Sequence, residues 1–303
     1  MFVQILLVLL PVLLVIFIFV VGISWYIAHT SLVPPKTPNS KTPADLDLDY
    51  EAFTLNRSGH SLHGWYILAP PERLTNGQDV PTIIMTHGWG SNAQQMLPSA
   101  LFLHQAGFNV ILFDIRGHGD NEPLELISMK EVVEDLRSLI NFALEHAKSK
   151  TMRIGLFGHS MGAAVSILAA SQDDRVQAVV SSSGFADFAH LTAQMLRWRR
   201  LPAFPFRYLI QNFWERWLGS PMSEINPVDH IGNISIPVLL LHGEEDRVVT
   251  PDQADKLYQK AQRAEKCLLA GKNHADLVED PRYAEEVVAF FDRTLRMSEV
   301  KSA

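Results

Sequence analysis

Ser160 sits in Gly158-His159-Ser160-Met161-Gly162, between the apolar run Met152 to Phe157 and a helical stretch, Gly162 to Ser171. A strand that turns sharply into a helix through G-x-S-x-G holds its serine on a strained elbow with the hydroxyl exposed. Glycines two residues to either side avoid side-chain clashes inside so tight a turn. A serine hydroxyl attacks a carbonyl only when a histidine takes its proton and an acid orients that histidine and stabilises its charge. Both partners follow in the chain. The strand-like run Pro237 to Leu241 ends in His242-Gly243-Glu244-Glu245-Asp246-Arg247-Val248, and Lys266 to Ala270 leads into Gly271-Lys272-Asn273-His274. Each lies just past the C-terminal end of a predicted strand, where open α/β sheets place their ligands. The order and spacing predict Ser160 as nucleophile, His274 as general base and Asp246 as its acid.

Other acids compete for that role. Glu244 and Glu245 flank Asp246, but Asp246 stands immediately before Arg247 to Pro251, where a helix should start. Asp187, after the predicted strand Val176 to Ser183, is the better rival. His118, His159 and His242 lie at strand ends and read as loop-organising residues; His60, His63, His104 and His146 read as ordinary positions. Acyl transfer also builds negative charge on the carbonyl oxygen, which preorganised backbone N–H groups stabilise. The run Thr82 to Thr86 ends in His87-Gly88-Trp89-Gly90. One donor is expected from Met161, the residue after the nucleophile, and a second from Trp89 in this earlier loop.

The elements that must position these residues alternate. Strands are predicted at 49–55, 64–69, 82–86, 109–114, 152–157, 176–183, 238–241 and 266–270. Helices are predicted between them at 93–106, 129–147, 162–171, 251–262 and 281–296. Such alternation implies a mostly parallel sheet covered on both faces. From about Leu48 to Arg296 the chain resembles the α/β-hydrolase superfamily, and within it the monoglyceride lipase-like and Bem46-like serine hydrolases. The matching pieces are His87-Gly88-Trp89-Gly90, Asp114-Ile115-Arg116-Gly117-His118-Gly119, the serine pentapeptide, Gly243 to Val248 and Gly271 to His274. Many relatives carry a serine soon after the Arg-Gly-x-Gly turn where this chain has Asp120-Asn121, a loop difference expected to leave the mechanism untouched. The resemblance implies an α/β-hydrolase fold over residues 48–297, with a helical cap at about 184–236 roofing an acyl pocket.

That insertion is longer than a structureless loop should be. It carries Arg197-Trp198-Arg199-Arg200, Phe204-Pro205-Phe206-Arg207-Tyr208 and Phe213-Trp214-Glu215-Arg216-Trp217. Its aromatics suit an apolar site, and its arginines suit anionic lipid headgroups. Nucleic acid is disfavoured as a partner, because 26 basic residues stand against 33 acidic ones.

Phe2 to Ala28 holds no charged residue and is dominated by Leu, Val, Ile and Phe. About 20 such residues cross a bilayer core, so residues 2–28 are expected to form a transmembrane anchor. Trp25 and Tyr26 are placed as interfacial anchors. A cleaved signal peptide is disfavoured by the missing basic n-region and the length of the apolar run. Residues 29–47, with four prolines at 34, 35, 38 and 43, read as an extended tether. Lys36 and Lys41 follow the anchor and weakly favour a cytoplasmic catalytic domain. The single cysteine, Cys267, excludes an internal disulfide and falls in a predicted core strand. No cluster has metal-ligand spacing, so neither metal nor cofactor is expected.

The expectation is a single-pass, membrane-anchored serine hydrolase that cleaves acyl or lipid esters through an acyl-enzyme. A thioesterase, amidase or peptidase with the same residues is the alternative within catalysis. A non-catalytic membrane-tethered binding protein is the alternative outside it. Oligomeric state and physiological substrate are not legible in the chain.

Overall fold

The structure, a computed structural model, describes residues 2–71, 79–146 and 151–296. Eight strands form one sheet in the order β1-β2-β4-β3-β5-β6-β7-β8. They are β1 Glu51–Arg57, β2 His60–Ile67, β3 Thr82–Thr86, β4 Asn109–Phe113, β5 Ile154–His159, β6 Val176–Ser182, β7 Val238–Gly243 and β8 Ala264–Leu269. β2 pairs antiparallel with both β1 and β4; β3 pairs parallel with β4 and β5, and β5 through β8 continue parallel. Central strands buried on both faces need apolar residues at every position. β5 shows the consequence: Leu156 packs into the core on one face and Phe157 into the core on the other.

The helices are α1 Phe2–Thr30, α2 Leu97–Gln105, α3 Met129–Glu145, α4 Met161–Ala170, α5 Phe188–Trp198, α6 Phe206–Leu218, α7 Pro227–His230, α8 Asp252–Lys260 and α9 Pro281–Phe291. One core gathers α3, α4, α6 and the end of α1; the other gathers α2 and α9. The predicted helix 93–106 divides into a 3-10 turn, Ala93–Met96, and α2. Pro98 in the first turn of α2 explains the break, because proline has no N–H to continue a preceding helix. β8 is the sheet edge, so Cys267 is half-buried rather than a core thiol, and burial raises its pKa.

The N-terminal segment departs most from expectation. Leu7 through Phe19 are exposed, whereas Ser24, Ile27 and Ala28 are buried against the cap. The Trp214 indole N–H on α6 donates to the Ala28 carbonyl at 3.1 Å. Trp25 stacks on His29 at 5.4 Å, and Trp217 meets Trp25 edge-on at 6.2 Å. Within 29–47, residues 34–42 carry no helix or strand, and the segment is fastened along the sheet domain. Ile127 N–H donates to the Leu32 carbonyl at 2.9 Å, Asn92 Nδ2 to the Thr37 carbonyl at 2.9 Å, and Asn39 Nδ2 to Asp114 Oδ2 at 2.7 Å. Gln94 Oε1 accepts from the amides of Ser40 at 2.6 Å and Lys41 at 2.8 Å. Composition marks the segment as extended, and main-chain and side-chain groups of distant elements hold it down.

Candidate active site

Ser160 stands between β5 and α4 with φ +54° and ψ −114°, a conformation an L-residue holds only when its surroundings enforce it. Its amide donates to the Ser182 carbonyl on β6 at 2.9 Å. The flanking glycines are required by close approach. A Cβ on Gly158 would lie 2.1 Å from the Gly162 carbonyl oxygen, and one on Gly162 would lie 2.0 Å from that of Thr86.

The structure brings the three sequence-predicted side chains into one hydrogen-bonded line. His274 Nε2 lies 3.0 Å from Ser160 Oγ, and its Nδ1 lies 2.7 Å from Asp246 Oδ2. Asp246 is buried after β7, and its other oxygen accepts from the amides of Val248 at 2.8 Å and Val249 at 2.9 Å. His242 Nε2 reaches the Val249 carbonyl at 2.8 Å and Asp246 Oδ2 at 3.3 Å. Burial would raise the Asp246 pKa, but hydrogen bonds from His242 and His274 outweigh it and hold the carboxyl well below the usual range. An ionised Asp246 fixes the proton on Nδ1 of His274, which leaves the Nε2 lone pair facing the serine hydroxyl. Ser183 Oγ donates to the His274 carbonyl at 3.2 Å and steadies its loop.

The rival acids are elsewhere. Asp187 caps α5 by accepting from the His190 amide at 2.6 Å and pairs with Lys256 at 3.3 Å. Glu244 and Glu245 are exposed.

His87 organises the loop after β3, a role its position beside Gly88 hinted at but periodicity could not assign. It is fully buried; Nδ1 lies 2.8 Å from the Gly88 carbonyl and Nε2 accepts from the Ile115 amide at 3.0 Å. Burial, reinforced by nearby His118, lowers its pKa to about 3 and keeps the ring neutral, so Nδ1 is the donor to Gly88. A Cβ on Gly88 would come 3.3 Å from the Ser160 Cβ, so this loop lies directly against the nucleophile elbow. The Trp89 amide donates to no group among the described residues. The Met161 amide opens α4, where first-turn N–H groups have no partner within the helix. His159 lies beside His274 with ring centroids 5.1 Å apart and planes tilted by 50°. Burial, then the charge of His274, lowers its pKa to about 3, so His159 adds no second cation beside the base.

Asp120 and Asn121, expected to be a neutral loop difference, tie three elements together. Asn121 Nδ2 donates to the Asp114 carbonyl at 2.6 Å, its Oδ1 accepts from the His63 amide at 2.9 Å, and Asp120 Oδ2 accepts from Asn39 at 3.0 Å.

Ser160 opens into a cleft of about 530 Å³ whose walls come from the Gly88–Gln95 loop, Leu97, Pro98, His274 and Ala275. Thr37, Lys41 and Leu46 of the N-terminal segment complete it. None of these lining residues comes from 184–236. Among the described residues no group of three or more His, Cys, Asp or Glu is placed to hold a metal.

A sheet in the order 1-2-4-3-5-6-7-8, with a serine on the elbow after β5 and a histidine after β8, defines an α/β-hydrolase. Residues 77–228 match the family described as serine aminopeptidase, S33 (Hydrolase_4), and the chain belongs to that family. It is 30% identical over 241 residues to the protein YfhR of Escherichia coli (strain K12), covering 77% of each chain. It is 30% identical over 226 residues to the α/β-hydrolase domain-containing protein WAV2 of Arabidopsis thaliana, covering 73% of this chain and 69% of that one. An esterase of Pyrococcus furiosus superposes with a TM-score of 0.69 at 24% identity, over 87% of this chain and 97% of its own. A bacterial membrane phospholipase A, described as a virulence factor, superposes with a TM-score of 0.60 at 18% identity, over 96% and 98%.

Proposed function

We propose that this chain is a membrane-anchored serine hydrolase that cleaves acyl esters through a covalent acyl-enzyme. One observation carries the reading: the line from Ser160 Oγ to His274 Nε2 at 3.0 Å and from His274 Nδ1 to Asp246 Oδ2 at 2.7 Å. Ser160 Oγ bonds to the ester carbonyl carbon while its proton passes to His274 Nε2. The amides of Met161 and Trp89 hold the oxyanion. The tetrahedral species collapses, the carbon–oxygen bond to the alcohol breaks, and His274 returns the proton to the departing alkoxide. Water then repeats the sequence, releasing the acid and restoring Ser160. Asp246 stays ionised throughout and stabilises the imidazolium.

The esterase and the phospholipase A among the structural neighbours support an ester substrate. The family's peptidase description, with an acylaminoacyl peptidase of Pyrococcus horikoshii among the neighbours, favours amide cleavage as the second reading. A fluorophosphonate probe followed by rate measurement on matched butanoyl esters, thioesters and anilides tests both. Labelling confined to Ser160 with the ester turned over fastest is expected. Faster turnover of the anilide transfers the assignment to the peptidase class, and no labelling removes catalysis altogether.

The most apolar 18-residue window within residues 7–30 has a mean hydropathy of 3.1, which supports a membrane span. The helix from Phe2 to Phe19 extends about 27 Å at 1.5 Å per residue, close to the roughly 30 Å of a bilayer core. From Val20 onward α1 packs on the cap, so α6 sits at the membrane interface. Exposed Trp198, Phe204 and Tyr208 beside Arg197, Arg199, Arg200 and Arg207 suit that position against anionic headgroups. Lys36 and Lys41 favour the cytoplasmic side. Protease protection of the hydrolase domain in sealed, right-side-out vesicles checks the topology: cleavage from outside reverses it.

A further inference from the structure

The N-terminal segment does more than connect the anchor to the enzyme: it supplies part of the wall of the serine's cleft. Thr37, Lys41 and Leu46 line the cleft together with Ser160 and His274. The main chain that carries them is held in place. Gln94 Oε1 accepts from the Ser40 and Lys41 amides, and Asn92 Nδ2 donates to the carbonyls of Thr37 at 2.9 Å and Pro38 at 3.2 Å. Pro43 and Leu48, just beyond, are buried.

The chemistry of the lining is uneven. Trp89, Leu46 and Leu97 give apolar surface, Ser91 and Gln95 give hydrogen-bonding groups, and no carboxylate is present. Apart from the two histidines, Lys41 is the one ionisable side chain among these residues. Its ammonium makes no ion pair among the described residues. Asp45, an acid that feels its charge, makes no ion pair with it and accepts at Oδ2 from the Thr42 amide at 2.8 Å and the Thr42 hydroxyl at 3.2 Å. A cleft that is apolar beside the nucleophile and carries one unpaired cation is complementary to an amphiphile with a negative head group.

We propose that Lys41 is a specificity-determining residue, delivered to the cleft by the N-terminal segment, that selects acyl esters whose alcohol part carries an anionic group, a phosphate or a carboxylate. This rests on the serine-hydrolase reading above. Ser160 and His274 perform the chemistry; Lys41 sets which ester is held. Because the segment continues directly from α1, substrate choice and attachment to α6 belong to one stretch of chain.

The test uses the full-length protein in detergent micelles and four soluble butanoyl esters: those of glycerol, glycerol 3-phosphate, glycerate and choline. The readout is the ratio of kcat/KM for each charged ester to that for the glycerol ester. A solvent-exposed ion pair contributes modestly and a like charge in its place repels, so Lys41→Gln is expected to lower the anionic ratio about 3-fold and Lys41→Glu about 10-fold. Lys41→Glu should raise the choline ratio, a gain that misfolding cannot mimic. The wild-type anionic ratio should fall as salt rises. Lys130→Glu, on α3 and away from the cleft, should leave every ratio unchanged. The phosphate and glycerate arms separate the two sources of charge. Anionic ratios that do not change in either Lys41 variant overturn the inference, as does failure to cleave the two anionic esters while p-nitrophenyl butanoate is turned over. Failure on all substrates, p-nitrophenyl butanoate included, overturns the hydrolase reading instead.

Discussion

Asn39 donates its side-chain amide to Asp114 at 2.7 Å across 75 residues of sequence. Asp114 directly follows β4, and its other oxygen accepts from the Ala93 amide at 2.7 Å, in the turn that follows the His87–Gly90 loop. One buried carboxylate thus joins the N-terminal segment to the loop that faces Ser160. Burial raises the Asp114 pKa, opposed by hydrogen bonds from Asp120, Ala93 and Asn39.

Removing the nucleophile should abolish both labelling and turnover. Ser160→Ala is expected to lose fluorophosphonate labelling and to lower kcat by on the order of 10⁶, the loss known for subtilisin's serine. His274→Ala should fall almost as far. Retained ester turnover in Ser160→Ala would overturn the assignment.

The two acids separate cleanly by substitution. Asp246→Asn should lower kcat by about 10⁴, the drop seen for the equivalent change in the serine-protease triad, because histidine then adopts the wrong tautomer. Asp187→Asn should change kcat less than about 2-fold, since asparagine caps a helix as well as aspartate does. The reverse ranking would move the acid to Asp187.

Truncation distinguishes the membrane stretch from the docked stretch. A chain lacking residues 1–19 should be less prone to aggregate and should keep its kcat on a small soluble ester. Deleting residues 1–43 exposes the cap surface under Ile27 and Ala28 and removes Thr37 and Lys41 from the cleft. Losing about 2 kcal/mol of buried apolar contact should lower Tm by roughly 5 °C, with a matching fall in kcat/KM. Equal Tm for the two truncations would show that the docking adds no stability.

Stability should fall on acidification between pH 6.5 and about 3. His87 and His159 titrate near 3 in the folded state and near 6.5 unfolded. Between those values the unfolded chain binds more protons, so stability rises with pH and is lost as pH drops. Replacing His87 by glutamine removes one such group, and chemical denaturation from pH 7 to 4 should show a shallower slope than the wild type. An unchanged slope would mean His87 is charged when folded.

Glycine positions should differ sharply in tolerance. Gly162→Ala forces a Cβ to 2.0 Å from the Thr86 carbonyl and is expected to cost about 3 kcal/mol or more and to erase probe labelling. Gly219→Ala meets nothing within 4 Å, and its φ of +63° should cost only about 1 kcal/mol. Comparable losses at both sites would deny that the elbow is close-packed.

The features legible in the chain alone were local or periodic. The strand Thr82–Thr86 coincides with its expected limits, and the others shift by one to four residues at their ends, because buried parallel strands write themselves as continuous apolar runs. The elbow was legible because its turn demands glycine at fixed offsets from Ser160, and the loops bearing Asp246 and His274 were legible because each follows such a run. The distances among those three side chains were decided by the tertiary structure, since they depend on which strands neighbour one another. So was the choice of Asp246 over Asp187: both follow strands, and only packing shows one accepting from His274 and the other capping α5. The N-terminal segment marks the limit most clearly. Its prolines report extension, but its partners at 92, 94, 114 and 120 lie about 50 to 80 residues away, and no local pattern encodes a contact made across that distance.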